Sequence, residues 1–292
     1  MHPEEGYLNL ITKIFKEGSI KKGRNGNTIS VFGEKLDFDL NKGFPLLTTK
    51  RVFWRGIVEE LLWFLRGSTN ANELKDKNIH IWDGNTSREF LDSVGLTDVP
   101  EGDIGAGYGY QWRCFGGDYP SRENGVDQVR YLLTELTENP NGRRAMLCAW
   151  NPKQLSRMAL PPCHFSYLFN VNDDKLSCMM QMRSCDVGSG LPFNIASTAL
   201  FTSIMAHVLH MKAEKVVITM GDTHIYEPHY DSAKEQITRE PYPFPKLNIL
   251  KEAPSKESSI DEKLKWIEEL TAKDIELVEY KHYAPLSYQM VV

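Results

Sequence analysis

Paired cysteines are missing from this sequence: Cys114, Cys148, Cys163, Cys178 and Cys185 make an odd number, and none stands in CxxC spacing. That disfavours a disulfide framework and a zinc site, and makes a reducing, cytoplasmic compartment the expected setting. No signal peptide is recognisable and no apolar run approaches a membrane span, so neither export nor a membrane partner is expected. Positive charge is not in excess. A formal net charge of -5 argues against a general nucleic-acid binder and leaves any phosphate to be held by local arginines. No linker-like stretch interrupts the chain, and 41% hydrophobic with 25% charged residues is ordinary for a globular protein. Residues 1–292 are therefore expected to form a single domain.

What is present alternates between helix-like and strand-like segments, an α/β (α+β) pattern. Tyr7 to Lys16 places Leu8, Ile11, Ile14 and Phe15 at helical spacing, and Gly18 ends the run. KKGRNGNTISVFG reads as a glycine-rich turn entering a strand. Phe53 to Leu65 is an apolar helix with two consecutive acids, Glu59 and Glu60, and an acid in such a run needs a partner or a task. Val126 to Leu136 and Ile195 to Leu209 are also helical in period, the second a core helix whose His207 and His210 are read as structural. MLCAW and VVITM are strand-like, and a stripe through Leu264, Ile267 and Leu270 marks a surface helix.

The densest chemistry lies between Met158 and Asn194. Pro161 and Pro162 forbid helix and present Cys163 in an extended turn, followed by His164. A thiolate nucleophile needs positive neighbours, and Arg183 is a candidate. On composition alone Cys163 reads rather as one more buried cysteine than as a nucleophile. The motifs MALPPCH, QMRSCD, LPFNIAS and GDTHIY, in that order and spacing, resemble the thymidylate synthase family, and the resemblance runs from the first helix to the last residue.

That resemblance implies one catalytic domain with a large mixed β-sheet flanked by helices, and a homodimer formed through the sheet face. It implies Cys163 as nucleophile, Tyr108 beside it, and Glu60 as general acid/base acting through water, with Glu59 turned away on the helix. Arg183 and Asp186 complete the implied catalytic set. For the substrate dUMP it implies phosphate contacts from Arg24 and Arg183, with Arg143 and Arg144 reaching the other subunit's phosphate. Ser184, His164 and Asp186 join the nucleotide contacts, and His224 and Tyr226 hold the sugar. Asn194 would read the base, because an amide offers the donor and the acceptor that match uracil O4 and N3–H. The co-substrate 5,10-methylenetetrahydrofolate is expected against Ile81, Trp82, Leu160, Asp186, Gly190, Phe193 and Val291. No metal is implied.

The implied reaction adds the Cys163 thiolate to C6 of uracil, makes C5 nucleophilic, and uses Glu60 to move protons. Once tetrahydrofolate has left, hydride gives dTMP and dihydrofolate, whereas water gives 5-hydroxymethyl-dUMP. Several positions depart from the family pattern. Ser189 stands where leucine is usual, Met182 where glutamine is, Ala106 where proline is common, and Ser287 in place of a lysine in the C-terminal tail that, as the resemblance implies, closes over the folate; the loop after Arg24 is also shorter. Trp82, His164, Asn194 and GDTHIY are of synthase type. Thymidylate synthesis is thus the expectation, and a dUMP hydroxymethylase the alternative. A regulator that only binds nucleotide or RNA is disfavoured, because the nucleophile and the arginines are present.

Overall fold

The computed structural model describes residues 2–23, 26–289 and 291. Its helices are α1 (Glu5–Glu17), α2 (Trp54–Leu65), α3 (Asn72–Lys75), α4 (Asp83–Thr86), α5 (Arg88–Ser93), α6 (Tyr108–Cys114), α7 (Gln128–Glu138), α8 (Gly190–Val208), α9 (Tyr230–Gln236) and α10 (Ile260–Glu268). Strands β1 (Ser19–Gly23), β2 (Gly26–Asp39), β3 (Met146–Cys148), β4 (His164–Asn172), β5 (Lys175–Asp186) and β6 (Lys212–Tyr226) form one six-stranded sheet in the order β1-β2-β6-β5-β4-β3. Neighbours run antiparallel except β5 and β6, so the sheet is mixed, as expected. A separate pair joins β7 (Lys246–Ile249) to β8 (Ile275–Val278).

The core lies between one sheet face and the helices. Leu176, Cys178, Met180 and Met182 of β5 and Val216, Ile218 and Met220 of β6 alternate inward, as a half-covered sheet requires. Helix α8 packs on them and is apolar all round, burying Leu200, Phe201 and Ile204 completely. Each such side chain contributes about 2–3 kcal/mol relative to exposure. Helix α8 begins at Gly190 rather than at Ile195, because Pro192 falls in the first turn, where a missing N–H costs nothing. Contrary to the expectation about apolar runs, α8 is long and apolar enough to cross a membrane; it is instead the core helix, with 78% of its apolar window buried.

The end helix is the expected surface helix: Ser259 caps α10 in a reciprocal box with Glu262, Asp261 and Lys265 stay exposed, and Trp266 joins Leu264 and Ile267 on the buried face. The opposite sheet face is less buried. Along it Leu168, Met179, Gln181, Val217, Thr219, Lys35 and Asp37 follow the alternate positions, and none is fully buried. Ile20, Phe32, Met146 and Leu168, all on strands of this sheet, are exposed large apolar side chains.

Candidate active site

Strand pairing brings Cys163 to Arg183. The β4–β5 ladder extends one step beyond its strand, so that the Arg183 amide donates to the Cys163 carbonyl at 2.9 Å. The Arg183 guanidinium donates Nε to the Pro162 carbonyl at 2.9 Å and Nη2 to the Pro161 carbonyl at 2.8 Å, leaving Nη2 4.0 Å from the Cys163 Sγ. The Pro161 and Pro162 carbonyls are thus the acceptors that hold the guanidinium beside the thiol. Burial pushes the Cys163 thiol up; Arg183 opposes this, Asp186 adds to it, and the Tyr108 hydroxyl also lowers it. The expectation that Arg183 favours the thiolate has the right sign, but in the free chain desolvation outweighs it. Cys178 and Cys185 are fully buried with thiols pushed up further by desolvation, which leaves them inert.

Tyr108 starts α6 and accepts from the Cys163 amide at 2.8 Å. Its ring stacks on His164 at 4.5 Å and on Phe64 at 5.0 Å. This close crossing of α6 over α2 depends on Gly109, where a Cβ would come within 2.8 Å of the Ser68 carbonyl oxygen. His164 is buried and its Nδ1 lies 2.8 Å from the Tyr167 hydroxyl; desolvation lowers its pKa to about 3, so it is a neutral imidazole. Glu60 on α2 accepts from Trp82 Nε1 at 2.8 Å, and the Trp82 ring meets Tyr108 edge-on at 5.9 Å. Desolvation raises the Glu60 pKa to about 7 against the smaller pull of the Trp82 bond. Glu59 faces elsewhere and pairs with Lys77 at 2.6 Å.

The parallel β5–β6 pairing sets Ser184 opposite Asp222 and Asp186 opposite His224. His224 is buried with Nδ1 2.9 Å from Asp222, and its ring meets Tyr226 at 5.1 Å. After β5 the chain turns: Asp186 Oδ1 accepts from the Gly188 amide at 2.9 Å and the Ser189 amide at 3.2 Å, while Oδ2 accepts from the Ser189 hydroxyl. Gly190, Phe193 and Asn194 follow in the first turns of α8, half-buried, and a Cβ on Gly190 would lie 3.8 Å from both Asn194 Oδ1 and Asp186 Cβ. Leu160, Ile81 and Phe193 pack partly exposed on the core, and Val291 is half-exposed in the tail.

Arg143 and Arg144 are not brought to this cleft by any contact. Both are exposed just before β3, and among the described residues neither guanidinium has a partner. Arg24 lies outside the described residues. No group of three or more His, Cys, Asp or Glu among the described residues is placed to hold a metal ion.

A family model described as thymidylate synthase matches residues 5–292. The chain belongs to the thymidylate synthase family. It is 46% identical to the human thymidylate synthase, with all of this chain and 91% of that protein covered. It is 45% identical to the Herpesvirus ateles thymidylate synthase, again over the whole chain and 99% of the relative. A bifunctional dihydrofolate reductase-thymidylate synthase of Leishmania amazonensis is 48% identical, and there the chain spans 56% of the relative's length.

For a thymidylate synthase relative, two groups in this cleft escaped the sequence reading. Lys50, in the loop before α2, is buried, donates Nζ to the Gly188 carbonyl at 2.5 Å, and lies 3.7 Å from the centre of the Tyr288 ring. Desolvation lowers its pKa to about 7 against the raising effect of Asp186 and Glu4. Glu4 is buried just before α1, and its carboxylate takes four hydrogen bonds from the amides and hydroxyls of Thr48 and Thr49, which fixes the approach of Lys50. No local pattern marks either group, since both matter through segments far away in sequence. Of the atypical positions, Met182 is buried in the sheet core and the Ser189 hydroxyl is spent on Asp186.

Proposed function

We propose that this chain converts dUMP and 5,10-methylenetetrahydrofolate to dTMP and dihydrofolate. The carrying observation is the unbroken chain of contacts from the Cys163 amide through Tyr108 and Trp82 to Glu60, which ties a nucleophile to a carboxyl poised near neutrality. Cys163 Sγ adds to C6 of the uracil, and the electron pair moves towards O4. Asn194 receives that charge with its amide N–H and accepts from N3–H, which excludes cytosine. A phosphate bound by Arg183 adds negative charge, so thiolate formation relies on the guanidinium 4.0 Å from the Cys163 Sγ. Glu60, half-protonated near pH 7, delivers and removes protons through water during addition and elimination. The folate supplies the one-carbon unit and the hydride.

Hydride rather than water is favoured because the two core departures put no free polar group into the cleft: Met182 is packed away and the Ser189 hydroxyl is bonded. One incubation with both substrates tests this. Dihydrofolate and dTMP are expected; tetrahydrofolate with 5-hydroxymethyl-dUMP would replace the reading with the hydroxymethylase.

The less buried sheet face, with Leu168 and Met179 on it, supports a homodimer in which Arg143 and Arg144 of each subunit reach the other's phosphate. Mixing a Cys163→Ala chain with an Arg143→Ala chain should restore activity, since one mixed site has every part. No restoration on subunit exchange would refute shared sites. Five free cysteines suit a reducing compartment such as the cytoplasm, where the Cys163 thiol stays available.

A further inference from the structure

His229 is fully buried between the Asp186 turn, the end of β6 and the C-terminal tail. Its ring meets Tyr226 at 5.8 Å and Tyr288 at 5.3 Å, both edge-on. Gly188 makes the fit possible, because a Cβ there would fall 2.5 Å from Tyr288 Cδ1 and 2.9 Å from His229 Nδ1. The two ring nitrogens have different fates. Nε2 lies 2.7 Å from the Gln289 carbonyl oxygen. A carbonyl can only accept, so Nε2 carries the hydrogen. Nδ1 has no hydrogen-bond partner although it is buried, and it points at Asp186 Oδ1 across 3.8 Å.

In the neutral ring this sets a lone pair against a carboxylate oxygen, two acceptors face to face. The carboxylate therefore gains nothing by turning towards the histidine. Its Oδ1 takes the Gly188 and Ser189 amides instead, and the turn stays in one arrangement. If the tail leaves, Nε2 loses its acceptor, and the other tautomer, reached by proton exchange with solvent, can donate Nδ1–H to Asp186.

We propose that His229 is a positioning residue that reports closure of the C-terminal tail to Asp186 through its ring tautomer. Closed tail, Nε2–H and a carboxylate held by the Gly188 and Ser189 amides form one state; open tail, Nδ1–H and a carboxylate turned to His229 form the other. Tyr288 assists, since its hydroxyl donates to Gln236 Oε1 at 2.7 Å and its ring lies under Lys50. The inference rests on the folate-dependent reading above, and wild-type turnover with dUMP and methylenetetrahydrofolate tests that reading first.

The inference has its own readout, independent of turnover. Two-bond proton–nitrogen spectra of protein labelled with 15N-histidine identify the tautomer, with His229→Gln assigning the signal. The full chain should show Nε2–H, and a chain ending at Ser287 should shift to Nδ1–H. The same tautomer in both chains would overturn the proposal. Kinetically, His229→Gln keeps an amide where Nε2 was, and His229→Asn keeps one only where Nδ1 was. His229→Asn should raise the KM for folate roughly three- to tenfold, with the Kd for dUMP unchanged and a smaller effect for His229→Gln. In the truncated chain His229→Asn should add less than about twofold, because coupled lesions are not additive. Equal effects of the two variants, additive losses or a weakened dUMP Kd would each refute a role through the tail.

Discussion

The two sides of the candidate site are built on opposite principles. The wall of Glu60, Trp82, Tyr108 and His164 is aromatic and sparsely hydrogen-bonded, and desolvation drives its titratable groups towards their neutral forms. The wall of Asp186, Ser189, Lys50 and His229 is held by many hydrogen bonds from distant segments: the Asp186 carboxylate takes three, and Glu4 takes four to fix the Lys50 loop. The tail is bonded to His229 of that second wall and to the loop that carries Lys50. Tyr280 donates to the Leu47 carbonyl, the Tyr283 amide to the Thr48 carbonyl, and Arg239 bridges Thr49 and Ala284. A dry wall suits proton transfer; a wall of hydrogen bonds to a terminal segment suits a surface that must close on a second substrate.

Four experiments would break or sharpen this contrast. Cys163 belongs to both walls, so Cys163→Ala should lower turnover by at least about 10⁴-fold, and product formation within tenfold of wild type would remove the thiol from the chemistry. On the dry wall, Glu60→Gln should cut kcat by about 10²–10⁴-fold and leave the folate KM nearly unchanged. Asn194→Asp should shift the dUMP to dCMP ratio of kcat/KM by about 10–100-fold towards dCMP, since a buried mismatched donor costs roughly 1–3 kcal/mol. On the bonded wall, Lys50→Met should raise the folate KM about tenfold while kcat changes less. If Glu60→Gln and Lys50→Met gave the same pattern of kcat and KM, the division into two walls would fail.

Stability against pH separates the walls again, with opposite signs. Glu60 has a folded pKa of about 7, above its unfolded value, so the native state binds the extra proton and stability falls as pH rises from about 4.5 to 7. Glu60→Gln should therefore melt higher than wild type at pH 8, by up to about 3 kcal/mol, and lose that advantage towards pH 5. Lys50 has a folded pKa of about 7, below its unfolded value, so its contribution makes stability rise between about 7 and 10.5. Lys50→Met should be the more stable chain at pH 7, with the gain shrinking towards pH 10. Melting curves of both variants over pH 5.5–10 check the two slopes together.

The legible part of the site lay in contiguous motifs. MALPPCH leads into β4 and QMRSCD lies on β5, its neighbour in the sheet, so the approach of Arg183 to Cys163 follows from a pairing of segments close in sequence. Glu60 was singled out because an acid in an apolar helix stands out, and its rival Glu59 was set aside by helical geometry, which the Lys77 pair bears out. Lys50, Glu4 and His229 carried no such mark. Glu4 meets Thr48 and Thr49, and His229 meets Gln289, across long sequence separations. The same limit applies to Trp266, whose burial depends on what α10 meets.

The amino-acid order alone indicated the candidate site residues, most of the long helices and strands, and the family to which the chain belongs, because those depend on local periodicity and on contiguous motifs. The ionisation of those residues was decided by tertiary structure. Arg183 argues for a thiolate at Cys163, yet burial keeps the thiol protonated in the free chain; Glu60 is an ordinary acid in the sequence and a group near neutrality in the fold. A pKa depends on how much water the surrounding chain removes, and that quantity exists only once distant segments have packed together.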